Sequence, residues 1–138
     1  MILVDTSVLI DFFNGASNDK VALLHRVIMN KLLFGISEYT YLEILQGAKN
    51  NKEYAKLNEY LLDMYIYLLP KTIEIYEDTA QIYFGLRRQG ITVRSTIDVL
   101  IARTAIEYNL SLLHNDRDFD VMAAKVPRLK IYSENLKT

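Results

Sequence analysis

The sequence has no cysteine, two prolines, five glycines and two histidines. Without a thiol there is no disulfide scaffold, no thiolate zinc or iron–sulfur site and no cysteine nucleophile. His25 and His114 stand far apart, which leaves no set of two or three imidazoles for a metal. The scarcity of Gly and Pro, with no low-complexity run, offers no linker, so residues 1–138 are expected to form a single domain. Neither sign of charge dominates: 16 basic side chains face 17 acidic ones, and no overall field advertises a polyanion partner. The longest apolar run, Met64 to Leu69, is six residues and cannot span a bilayer. The opening MILVDTSVLIDFF has no basic region and is interrupted by Asp5 and Asp11, so it is not a signal peptide. A soluble cytoplasmic protein with no membrane contact is the expectation.

What is present is globular. Hydrophobic residues make up 51% and charged residues 24%, which excludes intrinsic disorder. A chain of this length buries about 70% of its unfolded surface and needs no covalent staple. Buried strands are predicted over Met1–Val4, Leu32–Ile36, Tyr65–Leu69 and Leu110–His114, with a fifth over Arg128–Tyr132. Between them helices are predicted over Thr6–Phe13, Asn18–Lys31, Ser37 to about Asn50, Lys52–Met64, Lys71–Gln89 and Ser95–Tyr108. Short apolar strands alternating with helices imply an α/β/α sandwich around a mostly parallel sheet of four or five strands. In such a sheet the functional crevice lies beyond the carboxyl ends of the strands.

Acids stand at or near those ends. Asp5 closes the first strand, Glu43 lies in the helix after the second, and Asp116 and Asp118 follow the fourth. Asp98 lies in the first turn of the helix feeding the fourth strand. Each also has a plain structural reading. Asp5 is a good cap for the helix at Thr6, and Ser95-x-x-Asp98 resembles a capping box. Glu43 fits a solvated helix face, and Asp116 and Asp118 fit a turn. Asp98, however, shares its helix face with Ile101, Ala102 and Ala105, while Arg103, Thr104 and Glu107 are expected to point away. Two carboxylates about 6 Å apart repel by roughly 3 kcal/mol at an effective dielectric near 20. Several converging on one crevice call for a proton or a cation. With no Cys and almost no His, the matching cation is hard, Mg²⁺ or Mn²⁺, and phosphodiester hydrolysis is a chemistry that such a site supports.

The successive segments MILVDTSVLIDFFNG, YLEILQGA, STIDVLIARTA and LLHNDRDFD resemble the ordered motifs of PIN-domain ribonucleases, and more narrowly the VapC-type toxins of toxin–antitoxin pairs. The likeness runs from Met1 to about Asp120. It implies a metal-dependent endoribonuclease that hydrolyses phosphodiester bonds in structured RNA, of the transfer or ribosomal class, through metal-activated water. It implies catalytic and metal-holding acids at Asp5, Glu43, Asp98 and Asp116, with Asp118 as a supporting or alternate ligand and Ser7 orienting Asp5. It also implies an antitoxin that covers the acidic cleft, and a homodimer. One departure stands out: the family usually has Thr or Ser where this chain has His114. That imidazole is either a strand-end side chain bonded to backbone or a titrating neighbour of the acids.

RNA binding needs local positive charge. Residues 1–69 carry six basic and eight acidic side chains, whereas residues 87–130 carry eight basic and five acidic. Arg87, Arg88, Arg94 and Arg117 are the candidate phosphate contacts, each also readable as a solubilising surface residue. Tyr54, Tyr60, Tyr65 and Tyr67 are expected at an antitoxin or dimer surface. The alternative to the enzyme is a PIN-like RNA- or protein-binding module without catalysis. A phosphatase of the haloacid-dehalogenase type needs a second Asp two residues after the first, where this chain has Ser7. A receiver domain needs acids and a Lys at strand ends where none is found.

Overall fold

In the computed structural model, which describes residues 1–134, the first strand decides the layering. β1 (Ile2–Val4) is buried throughout. Successive strand side chains point to opposite faces, so Ile2 and Val4 enter one apolar cluster and Leu3 the other. In β4 (Ser111–Leu113) the same alternation sends Leu112 to the side of Leu3 and Leu113 to the side of Val4. With β2 (Phe34–Ser37), β3 (Tyr65–Tyr67) and β5 (Lys130–Ile131) these strands form a five-stranded sheet in the order β3-β2-β1-β4-β5. Every neighbouring pair is parallel.

Seven helices cover the sheet among the described residues. α1 (Thr6–Phe13), α2 (Asp19–Met29), α3 (Glu38–Gln46) and α4 (Asn51–Leu62) bury Leu9, Leu24, Ile44 and Leu61 with Ile2 and Val4. α5 (Ile73–Arg88), α6 (Thr96–Glu107) and α7 (Arg117–Lys125) bury Ile82, Leu86, Ile101 and Phe119 with Leu3 and Leu112. This is the expected α/β/α sandwich around a parallel sheet. Each of the seven helices starts at a side-chain oxygen that accepts a backbone N–H: Asp5, Asn18, Ser37, Asn50, Thr72, Ser95 and Asp116. A cap of this kind contributes about 1 kcal/mol. No helix among the described residues is long and apolar enough to cross a membrane.

One helix is added to the expected elements and two expectations are corrected. The chain after Asp116 forms α7, which the apolar spacing did not announce because only Phe119 and Met122 of its nine residues are buried. Arg103 and Thr104 do not point to solvent: α6 lies against other elements on nearly every side, and both are buried. Arg103 is accommodated by Glu107 at 3.1 Å and by Asp78, which Arg128 also holds. Tyr67 is not a surface residue; it is 8% exposed and stacked between Tyr65 and Tyr108 at 4.5 and 5.0 Å.

Gly35 fixes how closely β2 and β3 meet. A β-carbon there would sit 2.6 Å from the Tyr65 carbonyl oxygen and 2.7 Å from the Tyr67 ring. Both neighbours belong to a packed strand and cannot retreat cheaply. Gly35→Ala is expected to lower the unfolding free energy by about 1–3 kcal/mol, the usual scale of overpacking. Urea denaturation reads this directly, and an unchanged midpoint would contradict the packing.

Candidate active site

The sheet order reverses at β1: the chain adds β2 and β3 on one side, then crosses to place β4 on the other. The two strands on either side of that switch point splay their following segments apart and leave a crevice at their carboxyl ends. Asp5 follows β1 there and Asp116 lies three residues after β4, with the Asp5 N–H bonded to the Leu113 carbonyl at 2.9 Å.

Asp5 caps α1 with one carboxylate oxygen and keeps a second that the cap does not use. Its Oδ2 accepts from the Ser7 backbone N–H at 3.0 Å and the Ser7 hydroxyl at 2.6 Å. Its Oδ1 is buried and has no partner. A carboxylate oxygen without a donor is costly in the interior, and burial pushes the Asp5 pKa up despite the Ser7 bonds, with Glu43 adding to the rise. Ser7 also joins the two sides of the crevice, since its Oγ accepts from the Asn115 N–H at 2.9 Å.

Glu43 is not a solvated helix glutamate. The Thr6 hydroxyl donates to its Oε1 at 2.7 Å, and because that hydroxyl has one proton, its 3.0 Å contact with the buried Thr40 is one in which Thr40 donates. Thr6 and Thr40 thereby fix Glu43 beside Asp5, a role that motif reading did not assign to either. The available signal was the hydroxyl directly after Asp5.

Asp98, Asp116 and Asp118 each offer an oxygen within a 4.8 Å cluster. Asp98 is half-buried, and its pKa is pushed up to about 7. Burial is the main cause, followed by the charges of Asp5, Asp116, Glu43 and Asp118. The four other acids singled out in the sequence therefore all act on Asp98. Asp116 accepts from the Asp118 N–H at 2.9 Å, which sets the two carboxylates side by side at the start of α7.

Of the four arginines, Arg94 meets the acids. Its guanidinium lies 3.3 Å from both Asp116 and Asp118. Arg87 and Arg88 lie over the rings of Tyr83 and Phe84 on α5, and Arg117 is exposed at the first position of α7. His114 is 2% exposed, touching Asp116 on one ring nitrogen and Asp120 on the other.

This donor set is all oxygen, carries excess negative charge and includes one buried oxygen without a partner. It fits a hard divalent cation and fits no soft metal.

The family model for the PIN domain matches residues 2–125. The chain belongs to the PIN-domain family. Within that family it is 32% identical over 124 residues to ribonuclease VapC11 of Mycobacterium tuberculosis, covering 89% of this chain and 92% of the relative. It is 29% identical to a ribonuclease VapC of Rickettsia bellii, covering 99% and 98% of the two chains. The fold superposes on a chain of the VapBC2 complex of Rickettsia felis, solved with a promoter DNA fragment, with a TM-score of 0.73. That match covers 96% of this chain and 98% of the other at 20% identity, so it bears on the fold. The segments that resemble VapC-type motifs thus lie on a PIN fold, with Asp5 and Asp116 following two adjacent strands at the carboxyl end of the sheet.

The raised Asp98 pKa has a thermodynamic consequence. Its carboxyl binds a proton more tightly in the folded chain than in the unfolded one, where the value is near 3.8. The contribution of Asp98 to stability without metal is therefore fully present below that lower value and is lost as pH rises through about 7. Asp98→Asn should lessen this loss and leave the variant more stable than the parent at pH 8 in chelator. Thermal melts across that range test it; an unchanged pH dependence in the variant would contradict the assigned electrostatics.

Proposed function

We propose that this PIN-domain chain is a Mg²⁺- or Mn²⁺-dependent endoribonuclease, the toxin of a toxin–antitoxin pair, acting in the cytoplasm on structured RNA of the transfer or ribosomal class. Residues 1–138 are read as its single domain. The observation that carries the reading is the unpartnered, buried Oδ1 of Asp5 beside three further carboxylates whose oxygens cluster.

Asp5, Glu43, Asp98 and Asp116 would hold one or two divalent ions, with Asp118 supporting or replacing one of them. When bound, such an ion lowers the pKa of water and offsets charge growing on the leaving oxygen. The side chains supply the rest. Ser7 occupies the outer oxygen of Asp5 and leaves Oδ1 turned inward. Thr6 orients Glu43 by donating its hydroxyl to Oε1, which leaves Oε2 as the oxygen Glu43 would offer to an ion. Asp98, whose pKa burial and the neighbouring acids push up to about 7, would be favoured in its ionised form by a bound cation. Cleavage by water leaves a 5′-phosphate and a 3′-hydroxyl. Arg94, with Arg87, Arg88 and Arg117, would meet the RNA phosphates.

An antitoxin partner is supported by the fold neighbours, several of which were solved as VapBC or toxin–antitoxin complexes. A groove of about 420 Å³ between α1, α3 and α4, lined by Ile10, Phe13, Leu57 and Tyr60, opens at Glu43. A partner segment lying there would reach the acids. A homodimer is the expected assembly.

The test is cleavage of purified transfer and ribosomal RNA with Mg²⁺, Mn²⁺ or chelator, using the chain freed from its partner. Cleavage should require the metal, and Asp5→Asn and Asp98→Asn should each reduce it by about a hundredfold or more, the scale of losing a positioned catalytic group. Their melting temperatures should hold or rise. RNA binding without cleavage at any metal concentration would favour the binding module instead.

A further inference from the structure

The turn that carries Asp116 into the crevice exposes two backbone N–H groups that the sheet does not use. Asn115 gives its N–H to Ser7 Oγ at 2.9 Å, and Asp116 gives its N–H to His114 Nδ1 at 3.1 Å. A backbone N–H only donates, so Nδ1 must present a lone pair. The ring proton then lies on Nε2, which is 3.1 Å from Asp120 Oδ1 and donates to it. These two contacts define one tautomer of a neutral imidazole.

Two further contacts stop the ring from turning. It is 2% exposed, and it packs on the Phe119 ring with centroids 5.2 Å apart. Asp120, by contrast, has 63% of its side chain exposed and reaches the buried imidazole from the solvent side. A carboxylate holding one nitrogen so that the other faces its partner in a fixed state is the arrangement by which outer residues orient metal ligands.

We infer that His114 is a positioning residue: with Asp120 behind it, it holds Asp116 by the backbone in the orientation a divalent cation needs. This rests on the acid cluster being the metal site. The partners on either side of the ring are bonded through different atoms, so they can be separated by substitution. His114→Asn keeps an acceptor at the Nδ1 position but cannot reach Asp120. His114→Gln reaches toward Asp120 but removes the acceptor from Asp116.

The experiment is Mn²⁺ titration of the full chain by calorimetry, with melting temperatures measured alongside. His114→Gln should weaken Mn²⁺ about tenfold, the lower end of the effect of losing an outer partner. His114→Asn should stay within about threefold of the parent on that scale, although both variants lose stability. A ¹⁵N-resolved imidazole spectrum of the parent at neutral pH should show the proton on Nε2. Equal Mn²⁺ affinity in His114→Gln and parent, or a proton on Nδ1, would overturn the assignment. Equal weakening in both variants would also overturn it, because a packing role alone produces that. A parent chain that binds no Mn²⁺ overturns the metal-site reading itself, a failure visible before any variant is compared.

Discussion

Repulsion among carboxylates is the constraint around which this end of the molecule is built. Asp5, Glu43, Asp98 and the pair Asp116 and Asp118 come from four separate segments of the chain, and each raises the cost of ionising Asp98 or lies in the cluster around it. A flexible scaffold would relieve that cost by letting the acids drift apart. Here the sheet forbids it. β1 and β4 are adjacent, parallel and buried on both faces, so the segments leaving their carboxyl ends must start side by side. The apolar burial of Leu3, Val4, Leu112 and Leu113, each wholly buried, opposes the electrostatic cost.

The same residues serve the fold and the site. Asp5 and Asp116 start α1 and α7, each satisfying an N–H that the helix leaves open. Capping consumes one oxygen of Asp5 and leaves the other without a donor. Ser7 then bonds across the switch point to Asn115, so the β1 and β4 sides of the crevice share a hydroxyl. Helix start and charge cluster are thus one construction, and capping α1 does not remove Asp5 from the cluster, since its charge still acts on Asp98.

How far the sequence is legible follows from the same physics. The strand starting at Ile2 and the helix Thr6–Phe13 are readable because an apolar run ends at a capping residue, and the nearness of the acids to one another is readable because motifs and strand ends coincide. Side-chain partnerships across distant segments are not. Glu43 looks solvated on its helix because the helical period places it opposite Ile44 and Leu45, and only the fold brings Thr6 against it. Arg103 looks exposed because it is charged, yet Asp78 and Glu107 accompany it into the interior. The second strand begins at Phe34 rather than Leu32, since Leu33 is 71% exposed and its hydrophobicity carries no information about pairing. α7 escapes because its buried face is two residues wide.

The central claim is that the convergent acids bind a hard divalent cation through the inward oxygen of Asp5. The most direct measurement is anomalous diffraction at the manganese edge from crystals of the chain grown with Mn²⁺. The expected result is a peak within ligand distance of Asp5 Oδ1 and of a carboxylate oxygen from Asp98 or Asp116, about 2.0–2.2 Å as for small hard cations. A manganese peak elsewhere on the surface with this crevice empty would contradict it.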